Sequence, residues 1–448
     1  MSSGMEFRRL ALEMLCDASG KFKKDILRKK FEKSEIPATE KKFISEIVYG
    51  ITRRRLTLEY ICAQYCKKIP GDILVLNALC MGLYQMLFMQ SIPAYAAINT
   101  TVDLLKERNR KKEAGYVNAI LRRLQRESHE IEAKKEGADI LPISSTRSLQ
   151  FHSAFFPDPE NKICEYWSIV YSYPLWIVER WFHRWGKQDC QALLESGNLV
   201  SPVFLRIRKN QHNIEDAFLK QGIAFSAQEN LWRLEHPGRI ESLPFYEEGD
   251  WAIMGTASAS FVKAMNPQPG MKILDMCAAP GSKSAYIADC MGDQGTVLAI
   301  DISPDRVHTM QENKARLKIQ SIHPVLMDAC QLPEEYQKSF DQVLLDAPCS
   351  NSGVLSKRAE ARWRLKKENL QELCKLQRKL LDSASKVVKY GGTIVYCTCS
   401  LEPEENEILI QDFLQDNQEF VCEEKKQILP LPPDLDGGSF FKLLRKSQ

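Results

Sequence analysis

Three apolar runs in the C-terminal part of this chain each end on an aspartate. They are Val297-Leu298-Ala299-Ile300-Asp301, the stretch 322–327 followed by Asp328, and the stretch 341–345 followed by Asp346. Each run is of strand length, and segments of helical length separate them. A further strand, 272–276, leads into the turn Cys277-Ala278-Ala279-Pro280-Gly281-Ser282-Lys283, and another is expected at 393–396. Strands that alternate with helices predict a doubly wound parallel sheet of the Rossmann type over 263–448. Ligands of such sheets bind in the crevice at the carboxyl ends of the strands, where these aspartates stand.

The turn after the first strand narrows the ligand. It lacks the G-x-G-x-x-G spacing of dinucleotide folds, which argues against a nicotinamide dehydrogenase. It is not a phosphate-binding P-loop either, because Ser282 separates Gly281 from Lys283. Small residues still allow a ligand close to the backbone at the helix N-terminus. Asp301 is placed to accept both ribose hydroxyls of a nucleoside cofactor, and Asp328 to receive an adenine amino group. Two cysteine-bearing runs follow, Asp346-Ala347-Pro348-Cys349-Ser350 and Tyr396-Cys397-Thr398-Cys399-Ser400. Each sits just after a strand, so both face the same crevice.

These motifs together resemble the RNA cytosine-5 methyltransferases of the RsmB/Sun type, in the NOL1/NOP2/Sun superfamily. The resemblance implies a class I methyltransferase domain whose S-adenosyl-L-methionine contacts Cys277 to Lys283, Asp301, Asp328 and Asp346. It assigns Cys399 as the nucleophile, Cys349 to release of the RNA adduct, and Asp346 to the cytosine edge near N3. Cytosine carbon 5 is a poor nucleophile until a thiolate adds to carbon 6, which is why the chemistry needs a reactive cysteine. The chain departs from the family in places. Ser282 replaces a glycine and so needs a backbone without positive φ. Asn351 opens a turn that normally begins with glycine, and asparagine tolerates the left-handed region. Cys397 stands where serine is common. Met254-Gly255 replaces a Gln-Asp pair, so a polar contact is expected to be lost there. Asp436 to Phe441 resembles the family's closing strand.

Residues 5–127 read as an all-α bundle. The stretch 73–89 is apolar nearly all round and carries Asn77 and Gln85, which suits a central bundle helix rather than a membrane span. Phe43 to Gly50, Gly82 to Phe88 and Val117 to Arg122 resemble the NusB-like domain of RsmB proteins. Charge is uneven behind a net +3. Residues 1–130 hold 24 Lys/Arg against 15 Asp/Glu, whereas 401–448 hold 5 against 11. A basic N-terminal part suits a nucleic-acid partner. The resemblance implies 16S ribosomal RNA, presented as a hairpin, with no obligate protein partner and no membrane.

Residues 128–170 show no period and read as a linker or insertion. Residues 171–262 read as a small α+β (α/β) linker domain, with a helix ending near Trp185-Gly186 and a strand at 203–208. The chain has 14 cysteines, but no apolar signal segment stands at its N-terminus, which favours a reduced, cytoplasmic protein. Cys62 and Cys66 have no companion ligands at zinc-finger spacing, so no metal site is expected. Arg358, Arg362, Trp363 and Arg364 suit a base-stacking, phosphate-contacting surface. Two other readings stay open: the same chemistry on tRNA, and a catalytically weak RNA-binding or ribosome assembly factor.

Overall fold

The computed structural model describes residues 3–17, 31, 36–134, 136–235 and 237–447. The chain divides into two compact units, Met1–Asn198 and Leu199–Gln448. This division falls inside the segment 171–262 rather than at its start.

The first unit opens with α1 (Ser3–Asp17), α2 (Ala38–Arg53), α3 (Arg55–Tyr65), α4 (Ile73–Phe88), α5 (Ala94–Glu107) and α6 (Lys111–Glu127). The most apolar helix, α4, lies at the centre and packs against all five others. Its two polar side chains are answered rather than stranded. Arg8 donates to Gln85 Oε1 at 2.7 Å and Arg55 to Asn77 Oδ1 at 2.7 Å. Asp72 caps the helix by accepting from Leu74 N. Among the described residues no helix is long and apolar enough to cross a membrane.

The segment without a sequence period holds a three-stranded antiparallel sheet. It is formed by β1 (Ser128–Glu132), β2 (Ile140–Pro142) and β3 (Arg147–Phe151), in the order β1-β3-β2. The strands are too short to display alternation. Their anchors are the buried Ile140, Leu141 and Phe151, joined by Phe155 and Phe156 stacking around Tyr60. Next come α7 (Ile163–Tyr171) and α8 (Leu175–Ser196). Gly186 breaks α8 with φ 73° and ψ −176°, where the sequence suggested an end, yet the helix resumes. Trp167 meets Phe182 and Tyr173 meets Trp181, which ties α8 to α7 and therefore to the first unit.

The second unit begins with β4 (Val203–Ile207), α9 (Gln211–Lys220), β5 (Phe225–Gln228), β6 (Leu231–Leu234) and β7 (Trp251–Ile253). These strands form an antiparallel sheet in the order β5-β6-β4-β7, closed by Phe218 of α9 against Trp232. A helix, α10 (Thr256–Met265), leads into the large sheet. That sheet is built from β8 (Lys272–Met276), β9 (Thr296–Asp301), β10 (Ile322–Leu326), β11 (Phe340–Asp346), β12 (Val388–Thr398), β13 (Phe420–Ile428) and β14 (Gly438–Arg445). The intervening helices are α11 (Ser282–Cys290), α12 (Pro304–Leu317), α13 (Ala361–Arg364), α14 (Lys367–Val387) and α15 (Glu407–Asp416).

The strand order is β10-β9-β8-β11-β12-β14-β13. The first five of these strands are parallel, while β14 inserts antiparallel between β12 and β13. Ile273 faces one apolar layer and Leu274 and Met276 the other, as expected of a strand buried on both faces. The order reverses between β8 and β11, and the crevice opens there. The expected architecture holds: an all-α N-terminal bundle, then a small mixed element, then a Rossmann-like sheet.

Candidate active site

The turn between β8 and α11 is held by its own backbone. Cys277 takes φ 59° and Gly281 φ 93°. Ala278 N donates to Ile300 O, and Gly281 N to Ala278 O. Ser282 is the first helical residue and has no positive φ, so its replacement of glycine carries no strain. A Cβ at Gly281 would approach Met310 Cγ at 3.3 Å, so glycine serves both packing and φ there. Arg306 donates to Ala279 O at 2.8 Å and Asn313 to Pro280 O at 3.0 Å, which fixes the loop from α12.

Asp301 is 3% exposed at the end of β9. It accepts from Ala279 N and Ser303 N and pairs with Arg306 at 3.3 Å. Arg306 was not singled out in the sequence, because an arginine two residues into a helix carries no distinguishing pattern. Asp328, beyond β10, is half-buried and accepts from Cys330 N. Asp301, Asp328, Asp346 and the turn thus align along neighbouring strand ends. Small residues in the turn and carboxylates on successive strands fit a nucleoside sulfonium.

Lys283 reaches from the first turn of α11 to Asp346, Nζ to Oδ2 at 2.6 Å. Burial opposes its charge, but Asp346 and the facing cysteines outweigh that and raise its pKa. This residue, expected to touch the cofactor, pairs with Asp346, which was expected beside both the cofactor and the cytosine edge. Beneath them lies Asp275, wholly buried, whose carboxyl burial pushes up to about 7; Ser284 donates to it at 2.6 Å. Burial also lifts the Cys277 thiol to about 12.

The structure brings Cys349 and Cys399 together. The loops after β11 and β12 run side by side, with Asp346 paired to Cys397 across the strands. The Ser350 and Ser400 hydroxyls, each next in sequence to one of these cysteines, lie 2.9 Å apart. Interaction between the two thiols lowers the pKa of Cys399 against the upward pull of burial, and raises that of Cys349 well above the ordinary thiol value. Cys397 is fully buried, raised by burial, and donates to Asp346 Oδ1 at 3.7 Å. It is therefore a neighbour of Asp346. Asn351 adopts φ 62°, as its turn requires.

The polar contact expected to be lost at Gly255 is supplied from elsewhere. Asp436 Oδ2 accepts from Ala257 N at 3.2 Å and occupies the space a side chain at 255 would fill. Lys357 pairs with Asp436 Oδ1 at 2.9 Å. A cleft of about 450 Å³ opens beside Cys349, lined by Asn351, Arg364, Leu365, Asn369 and Leu376. Of the basic cluster suggested for a phosphate-contacting surface, Arg358 and Arg364 are exposed, whereas Arg362 is fully buried. The amphipathic face of its helix turns Arg362 inward.

Comparison with known proteins agrees with this architecture. A family model described as 16S rRNA methyltransferase RsmB/F matches residues 262–430, and one described as NusB family matches residues 5–126. A probable ribosomal RNA small subunit methyltransferase B of Synechocystis sp. is 32% identical over 407 residues, 88% of this chain and 84% of that protein. The ribosomal RNA small subunit methyltransferase B of Cronobacter sakazakii is 30% identical over 426 residues, 91% of each. The crystal structure of PH0851 superposes with a TM-score of 0.78 at 24% identity, covering 99% of both chains, which shows a shared fold. The chain therefore belongs to the ribosomal RNA small subunit methyltransferase B family of S-adenosylmethionine-dependent methyltransferases.

Proposed function

We propose that the protein methylates carbon 5 of one cytosine in 16S ribosomal RNA through a covalent cysteine adduct. The observation that carries this reading is the juxtaposition of the Cys349 and Cys399 loops at two adjacent strand ends, beside Asp346, with the Ser350 and Ser400 hydroxyls 2.9 Å apart. A lone buried thiol would be inert, whereas a pair with one sulfur biased toward thiolate is built for addition.

The residues of Cys277 to Lys283, with Asp301, Asp328 and Asp346, hold S-adenosyl-L-methionine, which supplies an electrophilic methyl group. The target cytosine leaves its stack to reach the crevice. Cys399 adds to carbon 6, and the ring becomes an enamine with a nucleophilic carbon 5. Asp346, with the Lys283 ammonium beside it, faces the ring edge near N3, where charge gathers as the sulfur adds. Once carbon 5 carries the methyl group, its remaining proton passes to solvent water, the double bond is restored, and the Cys399 sulfur leaves as a thiolate. The Cys349 thiol beside that sulfur stabilises it as it leaves. The basic N-terminal bundle and the exposed Arg358 and Arg364 contact RNA phosphates. A free thiolate suits the reducing cytoplasm.

The test is methyl transfer from labelled S-adenosylmethionine to unmodified 16S RNA and to bulk tRNA, with Cys399→Ala alongside. Label at one cytosine of 16S RNA, lost in the variant, is the expected result. Label confined to tRNA would keep the chemistry and overturn the substrate. No label in either, with the cofactor still bound, would favour an RNA-binding assembly factor.

A further inference from the structure

The acidic run 402–407 has the composition of a solvated surface, yet its central residue is a fully enclosed carboxylate beside the cysteine loops. Glu405 is 0% exposed, in a short 3-10 turn at Pro403–Glu405. Its Oε1 accepts from Ser350 N at 2.8 Å and from Gln377 Nε2 at 2.9 Å. Its Oε2 accepts from the hydroxyls of Ser350 and Ser400. Ser350 follows Cys349, and Ser400 follows Cys399. One carboxylate therefore holds both cysteine loops from below.

The rest of the network tightens the same junction. The Ser350 and Ser400 hydroxyls lie 2.9 Å apart, Leu401 N donates to Ser352 Oγ, and Gly353 N donates to Cys399 O. Gln377 Nε2 also donates to Pro348 O, just before Cys349. Tyr396 donates to the Glu405 carbonyl at 2.7 Å. A buried carboxylate is costly unless its lone pairs are used, and here four donors use them. Such a cluster is retained where it fixes geometry.

We propose that Glu405 is a positioning residue that clasps the two cysteine loops together and, by its charge, disfavours a thiolate at Cys349, leaving Cys399 as the nucleophile; this rests on the reading given under Proposed function. The charges around the pair are unequal. Cys349 faces Glu405, Cys399 and the ring of Tyr396. Cys399 faces Cys349, Asp346, Lys283 and Asp436. The Glu405 carboxylate disfavours a thiolate at Cys349; at Cys399 the Lys283 ammonium, which favours the thiolate, works against Asp346 and Asp436, which disfavour it.

The test needs neither RNA nor cofactor, so it is independent of whether the proposed substrate is right. Iodoacetamide labelling of Cys349 and Cys399 is followed by peptide mass spectrometry across pH 6 to 9, in wild type and Glu405→Gln. The wild type labels Cys399 first, and Glu405→Gln narrows the preference by about tenfold through gain at Cys349. Glu405→Asp, which keeps the charge, restores part of the preference. A folded Glu405→Gln protein with wild-type preference at every pH would overturn the charge role. Should Glu405→Gln fail to fold, Ser400→Ala decides the clasp. Diamide-driven bridging of Cys349 to Cys399 slows about tenfold in that variant, because effective concentration falls when the loops separate. Unchanged bridging would overturn the clasp. On active enzyme, Glu405→Gln shifts the alkaline limb of kcat downward by about one pH unit, because Cys349 loses the charge that keeps it protonated, with KM for RNA unchanged.

Discussion

Lys283 Nζ lies 2.6 Å from Asp346 Oδ2, with 11% of the lysine side chain and 27% of the aspartate exposed. The pair joins the first turn of α11 to the end of β11, the two strand ends that flank the crevice. Cofactor side and cysteine side are thereby one electrostatic unit.

Lys283→Met leaves the Asp346 carboxylate half-buried without its cation. Breaking such a pair costs about 2 kcal/mol when one partner keeps some solvent. Urea unfolding should show that loss, and methyl transfer should fall by about 100-fold because charge near the ring is no longer offset. Wild-type activity in a folded variant would remove Lys283 from the chemistry.

Asp275 predicts a pH dependence of stability. Its folded pKa, about 7, lies above the ordinary carboxylate value because of burial, with Ser284, Lys283, Asp346 and Asp301 around it. A raised folded pKa means stability that is full below pH about 4 and is lost as pH rises through about 7. Asp275→Asn removes that slope. The stability difference between variant and wild type should move in the variant's favour by a few kcal/mol, on the order of 4, between pH 4 and 8. Parallel stability curves would place the Asp275 titration elsewhere.

Gly255→Ala tests the substitution of Asp436 for a local side chain. The backbone at 255 is unstrained, with φ −71°, so only the overlap with Asp436 matters. Overpacking should cost about 2 kcal/mol. The double variant Gly255→Ala with Asp436→Ala should be less destabilised than the sum of the two single changes. Strict additivity in thermal melts would contradict the steric account.

Asp301→Ala removes the carboxylate expected to accept the ribose hydroxyls. Losing charge-assisted hydrogen bonds worth about 2 kcal/mol weakens S-adenosylmethionine binding roughly 30-fold. Calorimetric titration measures this directly. An unaltered Kd would mean that Asp301 serves only Arg306 and the turn.

The five parallel strands were legible because each holds an apolar run that ends at a polar residue or small-residue turn, whereas β13, FVCEEKKQI, is mostly charged and exposed and gave no such signal. Asp301, Asp328 and Asp346 all lie at or just past the strand ends where the pattern put them. The turn at Cys277 to Gly281 was legible through its small residues, and Asn351 through its tolerance of positive φ. What stayed hidden depends on partners distant in sequence. Nothing in the run 402–407 separates Glu405 from its acidic neighbours; only the approach of Ser350, Ser400 and Gln377 does. The loss expected at Gly255 was repaired by Asp436, far along the chain. The sheet of β1, β2 and β3 was invisible because its strands are three to five residues long and its buried anchors, Ile140, Leu141 and Phe151, are too few to show a period.

The antiparallel β14 has one more consequence. Gly437 N donates to Gly353 O, Gly353 N donates to Cys399 O, and a Cβ at Gly438 would overlap the Thr398 carbonyl. Backbone that backs both cysteine loops therefore comes from residues 437–438, downstream of both cysteines in the chain. Both thiols leave the ribosome before their bracing exists, so a nascent chain stalled short of residue 436 carries the cysteines without the pair.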